Sequence, residues 1–325
     1  MLSKKIIYHV FSSKEKYGGI ENYICNILKY SKYFHISFNI NLHSLFSLNN
    51  FFFLNSNLEY ILKKRIIHFH GFTPSIIFKI LMANNSSNII WSVHFHPPKY
   101  TNRKFLSFFH LIFAAFILVT KKIKIITNSK EESKYLKNFF FLNKFFFVIP
   151  TGHIYKRLLK KKKCYDGIYI ARNEKHKNLE LYCKLAKKFN KNKFCLITNQ
   201  YYTNLKNLFV FNYPDNKKKE DLIASSKFFI NTSNYESFGI ASAESEMQGV
   251  PSVHNMHIKY HFTKPVLKNN LFYETNNFNS LSLVFSRLKK LNKVQYLILS
   301  KIRREYSLQF IFEKQIKLFD QIYQN

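Results

Sequence analysis

Glycine is scarce in this chain. Its 325 residues include 7 glycines, where average usage of roughly 7% would supply about three times as many. A sequence this poor in glycine keeps it mainly where a side chain cannot fit. Gly18, Gly19, Gly71, Gly152, Gly167, Gly239 and Gly249 are therefore informative positions. Five of the seven follow an apolar strand-like run or open a helix-like one, which is where α/β folds put ligand-binding turns. Cysteine is sparse too. Cys25, Cys164, Cys183 and Cys195 form no CxxC and no even framework, which excludes a disulfide-stapled domain and reads as buried thiols in a reducing compartment. Long apolar runs are missing. The longest, Phe105–Val119 (FLSFFHLIFAAFILV), falls short of the roughly 18 residues of a spanning helix. With NRK before it and TKKIK after it, it reads as a core helix or a helix at a membrane interface. The start, MLSKKIIYHVF, has a short apolar run and no small-residue cleavage site, so no signal peptide is expected.

Acidic residues number 18 against 51 lysines and arginines, a formal charge of +33. AT-rich coding DNA yields such a lysine-, asparagine-, phenylalanine- and isoleucine-rich composition. A basic surface also suits anionic lipid, nucleic acid or phosphorylated substrates. The phenylalanines cluster in apolar runs such as NFFFLNKFFFVIP and read as core. No helix-turn-helix, zinc-finger or RNA-binding signature accompanies them. A nucleic-acid partner is therefore not expected, and a basic nucleic-acid- or membrane-binding protein without activity stands as the alternative to an enzyme.

What is present is alternation. Strand-like runs fall at residues 4–11, 33–40, 65–70, 88–94, 122–127 and 145–149, with helical periodicity between most of them, as at Ile20, Tyr23, Ile24, Ile27 and Leu28. The stretch PTGHIYKRLLKKKKCYD, residues 150–166, has linker composition. The alternation then restarts with strands at 167–171, 193–198, 207–211, 227–231 and 251–253 and helices at 177–190 and 217–225. An apolar stripe through Leu308, Phe312, Ile316, Phe319 and Tyr323 closes the chain. This predicts an α/β protein with two parallel sheets. The expected division is a domain over 1–155, a second over 156–305, and a helix over 306–325.

The chemistry-bearing residues lie at the expected strand ends. NYESFGIASAESEMQGVPSV (Asn234–Val253) follows a strand and predicts a helix starting near Phe238 or Gly239. Glu236 falls just before that helix and Glu244 more than one turn inside it. Free backbone N–H groups at a helix start accept an anion, and carboxylates accept hydrogen bonds from vicinal hydroxyls. Phosphate and polyol together point to a nucleotide sugar. The bland alternative makes Glu236 a dipole-favoured charge and Glu244 solvated surface. Arg172 ends the first strand of the second domain, and Lys177 sits at an expected helix start. With 7 arginines against 44 lysines, the arginine position is the more informative, and the two cations can clamp a pyrophosphate. Gly18 and Gly19 fill the first strand-to-helix turn, where backbone can approach phosphate. Two histidine pairs, His68/His70 and His94/His96, each share a strand face. Metal binding comes to mind, but no acidic or cysteine ligand lies nearby in sequence, so hydrogen-bonded strand-end histidines or substrate contacts are expected instead. The four aspartates are isolated, and no DxD exists to hold a divalent cation against a donor. No metal and no cofactor is therefore expected for sugar transfer.

Taken together, these residues resemble glycosyltransferase family 4, retaining enzymes of GT-B fold. The E-x7-E signature matches Glu236, Phe238, Gly239, Glu244, Gly249 and Pro251 in register. The arginine–lysine spacing matches Arg172 and Lys177, the amino-terminal GG-x-E matches Gly18, Gly19 and Glu21, and the strand-end histidine looks like His94. Ser129 and Ile149–Gly152 match weaker elements. The resemblance implies two Rossmann-like domains facing across a cleft, the first taking the acceptor and the second the nucleotide sugar, with the C-terminal helix returning to the first. It implies that Arg172 and Lys177 neutralise the donor diphosphate, that Glu244 holds ribose, and that Glu236, Phe238 and Gly239 hold the transferred sugar. Gly18 and Gly19 would approach the donor, and His94 would act near the reacting centre. The chemistry implied is hexose transfer with retained anomeric configuration to a glycan or lipid-linked acceptor of a bacterial surface polysaccharide, in the cytoplasm at the anionic inner face of the plasma membrane. Two departures stand out: Ala171 replaces the usual glycine, and ESEM replaces EAMA, which places Glu246 one turn from typical.

Overall fold

The computed structural model describes residues 6–11, 34–39, 66–83, 88–94, 109, 111–117, 123–140, 146–149, 158–199, 201, 203–236, 238–256, 271–308, 317 and 320–324. Contacts divide the chain into Met1–Gly152 with Phe312–Asn325, and His153–Ile311. Each unit is built on one parallel sheet.

In the first unit the strands are β1 (Ile6–Phe11), β2 (Phe34–Asn39), β3 (Ile66–His70), β4 (Asn88–Ser92), β5 (Ile123–Thr127) and β6 (Phe146–Val148), in the order β2-β1-β3-β4-β5-β6. All five pairings are parallel. Parallel strands are covered on both faces and read as continuous apolar runs. β3 follows that rule, with all five residues buried. The helices α1 (Pro74–Met82) and α2 (Lys130–Phe140) are punctuated locally. Thr73 Oγ1 accepts from the Ile76 amide at 3.4 Å, with Pro74 in the first turn. Ser129 Oγ accepts from the Glu132 amide at 3.0 Å, and Glu132 Oε2 accepts from the Asn128 amide at 2.7 Å, a reciprocal cap of the capping-box kind. Ser129 thus has a full account as a helix start. Trp91 is fully buried, donates Nε1–H to the Gly71 carbonyl at 2.8 Å and stacks on Phe72. From the chain's end, Ile322 and Tyr323 join Ile7, Ile66, Ile90 and Ile126 in a small core of this unit.

Residues 109 and 111–117 of the apolar run are helical, with one face buried and one exposed. Leu111, Ala114 and Ile117 are fully buried, whereas Phe109, Ile112, Phe113 and Phe116 are 56%, 46%, 54% and 59% exposed. The spacing i, i+3, i+4, i+7 puts those four on one outward stripe. Among the described residues no helix is long and apolar enough to cross a membrane.

In the second unit the strands are β7 (Tyr165–Ile170), β8 (Phe194–Thr198), β9 (Leu208–Asn212), β10 (Ser226–Ile230), β11 (Ser252–Asn255) and β12 (Phe272–Tyr273), in the order β12-β11-β10-β7-β8-β9, all parallel. The connecting helices are α3 (Leu179–Lys188), α4 (Asn216–Ala224), α5 (Ile240–Met247), α6 (Phe278–Lys289) and α7 (Lys293–Leu308). α3 starts later than the periodicity predicts. Lys175–Lys177 form a 3-10 turn and Asn178 is left-handed, because Thr232 donates its hydroxyl to the Lys177 and Asn178 carbonyls and holds the turn tight. Lys177 is therefore on a turn ahead of the helix and not in it. β12 escaped sequence reading because two residues carry no periodicity.

Both sheets reverse strand order at one place, between β1 and β3 in the first unit and between β7 and β10 in the second. Ligands of open parallel sheets bind outside the carboxyl ends of the strands at such a switch point.

Candidate functional site

At the second switch point β7 and β10 lie side by side, Phe228 opposite Gly167 and Phe229 opposite Ile168. A Cβ on Gly167 would stand 2.7 Å from Ile230 Cδ1 and 3.1 Å from a Phe194 ring carbon, so a larger residue here would have to displace packed side chains. The segments leaving the two strands meet. Lys177 Nζ donates to Glu236 Oε1 at 2.7 Å, and the Ser233 hydroxyl donates to the same oxygen at 2.7 Å. The Tyr169 hydroxyl donates to the Lys177 carbonyl at 2.8 Å and lies 2.7 Å from Ser233 Oγ. The Asn234 amide donates to the His176 carbonyl at 2.7 Å. From the other side Asn255 Nδ2 donates to the Ser233 carbonyl, and the Tyr273 hydroxyl donates to the Asn231 carbonyl at 2.9 Å. The loop carrying Glu236 is thus clamped from β7, β11 and β12.

Burial pushes the Glu236 carboxyl up, but the Lys177 charge and hydrogen bond and the Ser233 hydroxyl outweigh it and hold the group below its ordinary range. Glu236 is ionised at neutral pH. Burial, then the Glu236 charge, pushes the Tyr169 phenol well up, so it stays a proton donor.

Gly239 has φ +82°, a conformation that costs a side chain about 1–3 kcal/mol, and as the N-cap of α5 it supplies no capping side chain of its own. The first-turn amides are therefore presented in the manner of an anion site. Phe238 beside it is buried. Inside α5, Glu244 is not the solvated charge of the bland reading. Lys219 of α4 donates to both its oxygens, at 3.0 and 3.1 Å. Arg172 is exposed and lies 3.3 Å from Glu174. The structure therefore joins Lys177 to Glu236, and sets Arg172 and Glu244 in separate ion pairs of the same unit.

Glu246 points the other way. It is fully buried and pairs with Arg303 of α7, itself fully buried, with His254 Nε2 at 3.6 Å from the carboxylate. This buried glutamate is matched by a basic partner from another helix.

In the first unit His94 follows β4 with φ +47°, uncommon for a non-glycine residue. Asn128 Nδ2 donates to His94 Nδ1 at 2.8 Å, which places the ring proton on Nε2. Burial lowers its pKa to about 4, so the ring is neutral at pH 7. Gly18, Gly19, Glu21 and His96 lie outside the described residues.

Several contributors escape sequence reasoning. Lys219 is one of three consecutive lysines, Lys217–Lys219, and nothing local singles it out. Tyr169, Ser233, Asn255 and Tyr273 act through pairings that appear once strands are assembled. Glu246 carried a signal, a charge where a helix turns inward, but its partner was 57 residues away.

No family model matches the chain, and no curated protein matches it. Solved structures do. The sucrose-phosphate synthase tll1590 from Thermosynechococcus elongatus is 14% identical, with 99% of this chain and 98% of that one covered and a TM-score of 0.79. HepE (Alr3699) of Anabaena, solved with UDP and glucose, is 13% identical over 97% and 98%, with a TM-score of 0.74. TarM of S. aureus is 18% identical with a TM-score of 0.67. The match covers 83% of this chain, which spans 57% of TarM's length. Identities this low carry the fold, and the fold is the two-sheet α/β arrangement of the GT-B class that the motifs implied.

Proposed function

We propose that the chain is a retaining glycosyltransferase that moves a hexose-type sugar from a nucleotide diphosphate sugar to a glycan, and that its donor binds in the second unit. The observation that carries this reading is the meeting of Lys177 and Glu236 at the β7/β10 switch point, beside the start of α5. Phosphate oxygens accept from the α5 amides and from Lys177 and Arg172. Glu244 accepts from the ribose hydroxyls, held in place by Lys219. Glu236, released from Lys177 when phosphate arrives, accepts from hydroxyls of the transferred sugar. In the first unit His94 offers a neutral imidazole to a sugar hydroxyl.

Leaving-group charge is stabilised here by cations and oriented amides, and no divalent cation is assigned to the donor. HepE was solved with UDP and glucose, so UDP and UDP-glucose are the first ligands to try. A thermal-shift panel of UDP, GDP and their sugars should raise Tm with one nucleotide diphosphate family, and Glu244→Ala should reduce the shift at a given ligand concentration. No shift with any of them would remove this reading.

One observation supports an acceptor at a membrane. The outward stripe of Phe109, Ile112, Phe113 and Phe116 lies in sequence between Arg103–Lys104 and Lys121–Lys122. Apolar contact flanked by cations suits an anionic bilayer surface. A lipid-linked surface-glycan acceptor on the cytoplasmic face fits that placement.

A further inference from the structure

We propose that His9, His68 and His70 form a buried transition-metal site of the zinc class in the first unit, independent of the donor chemistry. β1 and β3 are adjacent and parallel, and their register sets His9 directly opposite His68. Residues two apart on a strand share a face, so His70 joins them on the same side. Ring centroids are 5.2 Å (His9–His68), 5.1 Å (His9–His70) and 4.0 Å (His68–His70) apart. One nitrogen from each ring lies within 4.8 Å of the other two. All three rings are essentially inaccessible to solvent, and they stand at the strand-order reversal of this sheet, where parallel sheets accept ligands.

The donor set selects the ion. Three neutral imidazoles suit zinc, copper, nickel or cobalt, whereas magnesium and calcium require oxygen shells. Burial, and the charges that His68, His9 and His94 would carry, hold His70 well below the ordinary histidine range, so the ring is neutral as a ligand must be. Zinc–nitrogen bonds of 2.0–2.1 Å in a tetrahedron separate the nitrogens by about 3.3 Å. The spacings here bracket that value. His9 Nδ1 and His70 Nε2 are 2.8 Å apart, sharing a proton, and the cluster's widest nitrogen spacing stays under 4.8 Å. Converging the three nitrogens on one ion requires rotation of the rings about their side-chain bonds. On metal binding the shared proton moves to the opposite nitrogen of the same ring, so no ligand changes charge.

Orienting partners are in place for His68. His68 meets Tyr323 Oη at 3.1 Å through Nδ1 and Ser92 Oγ at 2.7 Å through Nε2. Whichever nitrogen binds metal, the other keeps a hydroxyl partner, the arrangement that fixes tautomer and ring orientation in histidine sites. The bound ion would tie β1, β3 and the end of the chain at Tyr323 into one cluster. The sequence hid this site because it displayed two H-x-H pairs and gave no reason to join His9, 59 residues upstream, to either; strand pairing does so.

The test uses tag-free, full-length protein incubated with zinc, then exhaustively desalted, with bound metal measured by mass spectrometry. About one equivalent per chain is expected, with a zinc absorption-edge shell of three imidazole nitrogens. Cobalt loading should give the intense visible bands of a tetrahedral site. Each of His9→Asn, His68→Asn and His70→Asn should weaken binding by more than the roughly 10–100-fold that loss of an outer-shell partner costs. The wild-type spectra keep the idea testable should a variant fail to fold. Less than about a tenth of an equivalent in wild type, an oxygen-dominated shell, or full zinc retention in all three variants would overturn it. UDP binding by the second unit is unaffected by any of these outcomes.

Discussion

Arg303→Met should be among the most destabilising single substitutions in the second unit. Arg303 and Glu246 are both fully buried and directly paired, linking α7 to α5, the helix that carries Glu244. Removing one partner of such a pair leaves an uncompensated buried charge, at about 3–5 kcal/mol, against a total stability on the order of 5–15 kcal/mol. Replacing both partners with apolar groups removes the penalty, so Arg303→Met with Glu246→Met should recover most of the loss. The third member adds a pH signature. Burial lowers the His254 pKa, and the Arg303 charge lowers it further, while the Glu246 hydrogen bond and charge raise it. Without Arg303, His254 can take a proton and answer Glu246. Its folded pKa then rises, and a raised histidine pKa contributes stability below the unfolded value of about 6.5 that is lost as pH climbs. The Arg303→Met deficit should therefore be smaller at pH 6 than at pH 8. Urea titration by far-UV circular dichroism, at both pH values and for all four members of the cycle, is the assay. Fluorescence will not serve, because Trp91, the one tryptophan, lies in the first unit. If the two single losses add to the double within about 0.5 kcal/mol, the ion-pair account is wrong.

Four further outcomes follow. Glu244→Ala should weaken donor binding by about 1–3 kcal/mol, the cost of lost hydrogen bonds to a charged group, while Glu236→Ala lowers turnover more than affinity; wild-type kinetics in both would dismiss the site. Sugar transfer should proceed without added magnesium or manganese and gain less than about twofold from them, since no DxD pair exists; strict dependence on either ion would overturn that. Acid should destabilise the first unit between about pH 6.5 and 4. His94 is depressed to about 4 by burial, so its unfolded form binds more protons in that window and stability, complete above 6.5, falls as pH drops, by up to about 3 kcal/mol for a shift of this size; a flat Trp91-monitored profile there would contradict it. Sedimentation with anionic vesicles should be strong, salt-sensitive and reduced by Phe113→Ser with Phe116→Ser, while neutral vesicles bind weakly; equal binding to both lipids, or to neither, would take the membrane out of the account.

The fold was legible because parallel strands buried on both faces are continuous apolar runs, as IIHFH at β3 and FCLIT at β8 are, and helical periodicity separated them. Boundaries slipped where tertiary contacts rule. Thr232, reaching over from the strand end of β10, keeps residues 175–178 out of α3, and no window around Lys177 contains that information. Motif spacing could single out Glu236, Gly239 and Glu244 as candidates because they sit on one local strand-turn-helix unit. It could not identify Lys219, Ser233 or Tyr169, whose roles come from strand order. The apolar run at 105–119 left core and interface both open because a run apolar throughout suits either; among the described residues Leu111 and Ala114 are inward and Phe113 and Phe116 outward.

Strand order also settles how a chain with so few carboxylates deploys them. Glu236 holds Lys177, Glu174 holds Arg172, and Lys219 holds Glu244. These cations are therefore already neutralised, and under the proposed function an incoming diphosphate has to exchange with a carboxylate. The exchange at Arg172 is easy, because both partners are about half exposed and such pairs are worth about 0–1 kcal/mol. The exchange at Lys177 is harder. Its pair with Glu236 is about 15% exposed on each side, and Ser233 reinforces the carboxylate. A lone phosphate that displaced Glu236 would leave that carboxylate desolvated beside a second anion. A diphosphate sugar brings its own hydroxyl donors to Glu236 and satisfies both ends at once. The pairing thus favours the complete donor over inorganic phosphate, and Glu236→Gln, which weakens the hold on Lys177, should narrow that preference by tightening phosphate binding. Unchanged phosphate affinity in Glu236→Gln would show that the ion pair is not the element that discriminates.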